Sequence, residues 1–120
     1  MSADLGHHYI GSAWIGDSPN GSAESINPSD GRLLGTAPLG SKDLASQAVL
    51  AAREAFQSTN WTTDPRLRAK VLLDFADALE ARADEIATLM ARENGKVLGQ
   101  ARHEVAAGYS EARDYAGVAR

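Results

Sequence analysis

From Asp64 to Gly95 the chain reads DPRLRAKVLLDFADALEARADEIATLMARENG, with apolar residues at Leu72, Phe75, Ala76, Leu79, Ala83, Ile86 and Met90. Steps of three and four place them on one stripe of a helix that faces a core. Asp64 supplies an N-cap, and Pro65 occupies the first helical position, where a missing N–H costs nothing. Asn94-Gly95 closes the run, since both residues tolerate the left-handed conformation that ends helices. Glu80 and Asp84 repel each other at i, i+4, and Asp84 can cap a fresh helix before Glu85. The pattern predicts helix over about 64–94, broken or kinked near Asp84.

The same spacing appears on both sides of this run. Ser41 is an N-cap and Asp43 lies in the first turn, where the helix dipole favours an anion. Leu44, Ala45, Ala48, Val49, Ala52, Ala55 and Phe56 form the expected buried stripe of a helix over about 41–57. Its alanines imply close helix–helix approach. Ser58 to Thr63 is a linker whose Trp61 reads as a packing wedge. Beyond Lys96 a further helix, about 97–119, carries Leu98, Ala101, Val105, Tyr109, Ala112, Tyr115 or Ala116, and Ala119. That stripe runs to the last turn without a stop signal, as expected of a truncated domain.

Before Ser41 the period shortens. Tyr9 to Ile15 reads as a strand, with β-favouring Tyr, Ile and Trp. A turn-rich stretch follows from Gly16 to Gly21, ending in the Asn-Gly pair that tight hairpins favour. Ser22 to Ile26 is the return strand, Asn27-Pro28-Ser29-Asp30-Gly31 a second turn, and Arg32 to Ala37 a third strand halted by Pro38. Residues 1–8 are expected to be disordered. The predicted class is α/β, or α+β for this stretch alone: a short antiparallel β-meander over about 9–37, then three or four packed helices.

Composition narrows the function classes. The 120 residues hold 16 acids and 12 bases, for a formal charge of −4 and a pI of about 5.3. A nucleic-acid or membrane surface calls for a basic stripe, and none is present. The chain has no cysteine, so it forms no disulfide and does no thiol chemistry of its own. No apolar run approaches the roughly 20 residues needed to span a bilayer. The N-terminal residues lack the apolar core of a secretory signal, which makes the cytoplasm the expected compartment.

Candidate chemistry is sparse. His7-His8 invites a metal, but adjacent residues of an extended segment point to opposite faces, so the pair does not readily hold one ion. Gly35-Thr36-Ala37-Pro38-Leu39-Gly40-Ser41-Lys42 imitates a phosphate-binding loop between a strand and a helix. The motif requires Gly-Lys-Ser/Thr, and here the order is Gly-Ser-Lys. One residue of displacement turns the lysine about 100° around the helix, away from the phosphates. Pro38 also removes a backbone donor. No G-x-G-x-x-G, H-E-x-x-H or G-x-S-x-G element occurs. Glu104 adjoins Val105 of the last stripe, which makes it either an exposed helix acid or a partly buried one that needs a partner.

Several short motifs in order do carry a resemblance. They are YIGSAWI, NPSDG, Ala48-Val49-Leu50-Ala51-Ala52-Arg53-Glu54-Ala55-Phe56, Trp61, the run from Arg68 to Glu80, Glu93-Asn94-Gly95-Lys96, Ala101-Arg102-His103-Glu104-Val105, and Tyr115-Ala116-Gly117. Each is weak alone. Together, over Tyr9 to Ala119, they resemble the start of an aldehyde dehydrogenase subunit. Val97 departs from the family, which often has proline after Gly-Lys.

The resemblance implies the N-terminal part, over 9–120, of a cofactor-binding domain in an enzyme that oxidises an aldehyde to a carboxylic acid with NAD or NADP. In that family a cysteine attacks the carbonyl, hydride passes to nicotinamide, and a glutamate-activated water hydrolyses the thioester, with an asparagine at the oxyanion. All of these residues are expected downstream, so catalytic and cofactor-binding residues are expected to be none in this chain. The family also implies a homodimer or homotetramer, with no nucleic-acid or membrane partner. Some members hold a structural monovalent cation, and the matching positions are the carbonyls of Ser25 and Ile26 with the carboxylate of Glu104. The competing expectation is a stand-alone helical interaction module whose apolar stripe docks on a partner.

Overall fold

Gly11 and Ser12 both take positive φ, 58° and 66°, the combination that a two-residue hairpin turn matched to the strand twist requires. The protein is described here by a computed structural model over residues 4–16 and 19–119. Its strands are β1 (Asp4–Leu5), β2 (His8–Ile10), β3 (Ala13–Ile15), β4 (Ser22–Ile26) and β5 (Leu33–Pro38). The chain divides into two compact units, Met1–Thr59 and Asn60–Arg120.

In the first unit, β2 and β3 pair antiparallel across the Gly11-Ser12 turn, with Tyr9 opposite Trp14. The stretch from Tyr9 to Ile15 is therefore a hairpin and not one strand. Asn20-Gly21, the expected hairpin turn, does not join paired strands: β4 pairs antiparallel with β5, and β1 pairs parallel with the other edge of β5. The arrangement is two small sheets, ordered β1-β5-β4 and β2-β3, in place of the expected three-stranded meander. Within the stretch 1–8 expected to be disordered, Asp4–Leu5 and His8 stand in strands. The free edge of β5 takes up Asp4–Leu5, and Gly6 N–H adds a bond of 2.7 Å to the Thr36 carbonyl. Residues 1–3, and Asp17 and Ser18 of the expected turn, lie outside the described residues.

The turn joining β4 to β5 forms as its sequence dictates. Asn27 is buried; its Oδ1 accepts from Ser29 N–H at 2.9 Å, and its carbonyl accepts from Gly31 N–H at 2.8 Å. Gly31 supplies the positive φ, 71°. Helix α1 (Lys42–Ser58) begins at the expected cap, with Leu44 N–H donating to Ser41 Oγ at 3.0 Å. Its apolar stripe stays uncovered. Within this unit α1 packs chiefly on the short β2, leaving Leu44, Ala48 and Ala51 half-buried while Val49 is 66 % and Phe56 58 % exposed.

The second unit consists of α2 (Pro65–Ala81), α3 (Ala83–Asn94) and α4 (Leu98–Val118), with α4 packed along both of the others. Asp64 Oδ1 caps α2 by accepting from Arg66 and Leu67 N–H at 2.9 and 3.0 Å. The break falls at Arg82, two residues before the expected Asp84. The Asp84 carboxylate does not cap a helix, because Arg102 of α4 holds it at 2.9 Å. Gly95 ends α3 in the left-handed conformation, φ 68°, with its N–H on the Ala91 carbonyl.

The core here is built largely from alanine: Ala69, Ala76, Ala87, Ala101, Ala112 and Ala116, with Val105. Small side chains let the helix axes approach closely, and Leu79, Ala83, Ile86, Met90 and Tyr109 close around the α3–α4 contact. Phe75, expected in the stripe, is 57 % exposed. It lies one residue before the buried Ala76, and α4 covers the alanine side of the turn. At the end of α4 the same competition resolves towards Ala116, while Tyr115 is exposed.

Candidate functional site

Glu104 stands two turns into α4, and its carboxylate meets an ammonium. Lys96 follows the left-handed Gly95, and its Nζ lies 2.7 Å from Glu104 Oε2. The lysine side chain is 26 % exposed and the glutamate 51 %. Glu104 is thus a half-exposed helix acid that does have a partner, which joins the two readings its position left open. Spacing alone did not disclose the partner, because the loop between α3 and α4 folds back over eight residues. A pair at this exposure contributes about 1 kcal/mol or less.

Ser25 and Ile26 belong to the first unit, at the end of β4. The ladder slips there: Ser25 pairs with Gly35 and Ile26 with Leu33, leaving Leu34 as the extra residue of a bulge on β5. Glu104 belongs to the second unit. Among the described residues no group of three or more His, Cys, Asp or Glu side chains is placed to hold a metal ion.

The phosphate-loop imitation does not become a cradle. Gly35 to Pro38 lie within β5, Pro38 is the register partner of Ser22, and the Ser41 hydroxyl serves as helix cap. Lys42 is the first residue of α1. These residues do not fit a nucleotide or a dinucleotide. His7 and His8 also stay apart. His8 begins β2 and lines an apolar groove of about 380 Å³ with Ile10, Leu44, Ala45 and Ala48. Its Nε2 is buried and has no hydrogen-bond partner among the described residues.

The most developed electrostatic feature is structural. Arg113 of α4 pairs with Asp77 and Glu80 of α2 and lies over the Tyr109 ring, 5.4 Å from its centroid. The hydrogen bonds that Arg113 donates to the Asp77 and Glu80 carboxylates hold its pKa above the ordinary arginine value. Arg82 spans the α2–α3 break to Glu85, and that hydrogen bond lowers the Glu85 pKa. The repulsion expected between Glu80 and Asp84 is thus relieved by Arg113 and Arg102. The sequence signal is their spacing of eleven residues, three helical turns, on one face of α4.

The sequence profile of the aldehyde dehydrogenase family matches residues 14–120. The chain belongs to the aldehyde dehydrogenase family. A malonate-semialdehyde dehydrogenase of Bacillus pumilus is 37% identical over 101 residues, covering 84% of this chain and 21% of that protein. A Bacillus anthracis malonate-semialdehyde dehydrogenase is 38% identical over 109 residues, 90% of this chain and 22% of the relative. Among solved structures, lactaldehyde dehydrogenase from Escherichia coli superposes with a TM-score of 0.90 at 26% identity, over 97% of this chain and 24% of that one. The NAD-dependent aldehyde dehydrogenase of Sinorhizobium meliloti gives 0.88 at 27% identity, over 96% and 23%. A betaine aldehyde dehydrogenase of Staphylococcus aureus, solved with NAD+, gives 0.87 at 28%, over 93% and 23%. This aldehyde dehydrogenase chain spans about a fifth of the length of the curated relatives it matches.

Proposed function

We propose that these 120 residues serve an NAD(P)-dependent aldehyde dehydrogenase that oxidises an aldehyde to a carboxylic acid, and that the stretch does no catalysis alone. The observation that carries this is the superposition of nearly the whole chain on under a quarter of an enzyme of that family. The lack of any cysteine agrees with a chemistry housed elsewhere in the subunit. NAD is the first cofactor to assay, since one relative is NAD-dependent and another holds NAD+. Malonate semialdehyde is the first substrate to assay, given the sequence relatives. A cytoplasmic homodimer or homotetramer is the assembly this reading expects. No described helix is long and apolar enough to cross a membrane.

The cation reading belongs to the same proposal: in the whole enzyme, the carbonyls of Ser25 and Ile26 and the Glu104 carboxylate serve a structural monovalent ion. Its support is a half-exposed carboxylate and an irregular ladder at the two carbonyls, and Lys96, which holds that carboxylate, has to release it for the ion to bind. Hard oxygen donors suit such an ion.

The uncovered stripe of α1 also favours a second reading, an interaction module with no catalysis. Intact mass of the protein isolated from its host separates the two. A mass several times 12.7 kDa, with NADH formed on addition of aldehyde, supports the dehydrogenase. A mass matching this chain overturns it in favour of the module.

A further inference from the structure

Two Asn-Gly pairs stand in this chain in opposite settings, Asn20-Gly21 and Asn94-Gly95. Asn94 ends α3: its Nδ2 donates to the Met90 carbonyl at 3.1 Å, and Gly95 N–H donates to the Ala91 carbonyl at 2.9 Å. The backbone nitrogen that would attack the Asn94 side chain is therefore held in the helix ladder. Asn20 lies exposed in the turn before β4, and Gly21, with φ 83°, has open space where a side chain would stand. The Asn20 side-chain amide ties this turn to the loop before α1, its Nδ2 donating to the Gly40 carbonyl at 3.1 Å.

We propose that Asn20 is a site of spontaneous deamidation and isomerisation, and that the fold shields the identical dipeptide at Asn94. Gly21 N loses its proton to solvent base and attacks Asn20 Cγ. A C–N bond forms, and Nδ2 takes up a proton and leaves as ammonia, giving a succinimide. Water then opens one of the two ring carbonyls. The net reaction is asparagine plus water to aspartate or isoaspartate plus ammonia, with no redox change. The product replaces a donor amide with a carboxylate, so the bond to Gly40 is lost. Isoaspartate also adds a methylene to the main chain two residues before the Ser22–Pro38 pair, which loosens that end of the β4–β5 ladder. The free α-carboxylate of isoaspartate makes residue 20 a substrate for a carboxyl O-methyltransferase that uses S-adenosylmethionine.

The test holds the protein at mildly alkaline pH in buffer and, separately, in urea, with peptide mapping that resolves isoaspartate. In buffer, residue 20 is expected to convert at least about tenfold faster than residue 94, the factor that about 1.4 kcal/mol of local helix opening imposes. In urea the two rates converge. Asn20→Gln, which keeps an amide but would need a larger ring, forms no product at residue 20. Equal rates in buffer overturn the proposal, as does a protein in which Asn20 reacts in urea and not in buffer, or at neither position in urea.

Discussion

Val105 and Val49 make a matched pair for asking what this chain buries. Both lie in helices, Val105 in α4 at 4 % exposure and Val49 in α1 at 66 %. Val105→Ala removes two methyl groups, worth about 1.6 kcal/mol of transfer at about 0.8 each. Incomplete collapse around Ala87 and Ala101 adds up to about 1 kcal/mol, and the better helix propensity of alanine returns about 0.5 kcal/mol. The net expectation is a loss of about 2 kcal/mol. For Val49→Ala the small transfer loss and the propensity gain cancel to within about 0.5 kcal/mol. Urea titration followed by far-UV circular dichroism reads both. With a slope of about 1.5 kcal/mol/M, Val105→Ala lowers the midpoint by about 1 M while Val49→Ala leaves it in place. Equal shifts would refute the assignment of the core to α4, and so would a Val105→Ala shift too small to measure.

Further expectations follow from single contacts. Asp64→Ala leaves the Arg66 and Leu67 N–H groups without their cap and costs about 1 kcal/mol, read as a lower urea midpoint that Asp64→Ser restores. Glu85 titrates below its ordinary value because Arg82 donates to it. Its contribution is therefore complete above the ordinary glutamate range and is lost as pH falls through the lowered value. Carboxyl NMR titration checks the direction, and an upward shift of Glu85 in wild type, or no change in Arg82→Met, would sink it. In the whole enzyme, Glu104→Gln is expected to remove any dependence of thermal stability on K⁺ or Na⁺; an unchanged dependence would refute the cation reading.

The features legible in the sequence are those set by neighbours along the chain. Ser41, Asp64 and Gly95 act where their types place them, because a cap is satisfied within three or four residues. The Asn27–Gly31 turn forms for the same reason. The hairpin is not legible because Gly11-Ser12 lacks the asparagine that marks such turns, while Asn20-Gly21 has it and joins no paired strands. The Lys96–Glu104, Arg102–Asp84 and Arg113–Glu80 pairs were hidden because each forms only once the chain folds back on itself. Of the candidate site, the residue positions came from family resemblance, and composition supplied only the lack of a cysteine.

Periodicity reports which face of a helix is made to be covered, and it is silent on what covers it. Among the described residues six of the seven buried apolar ones are alanines, while Val49, Leu50, Phe56 and Phe75 face outward. Alanine buries little apolar area, so the described core uses the smaller part of the hydrophobic surface the sequence carries. A domain selected to stand alone would be expected to turn its large side chains inward and leave few extended apolar patches. The reverse distribution, in a chain that spans about a fifth of its relatives' length, is what a portion of a larger dehydrogenase fold would show.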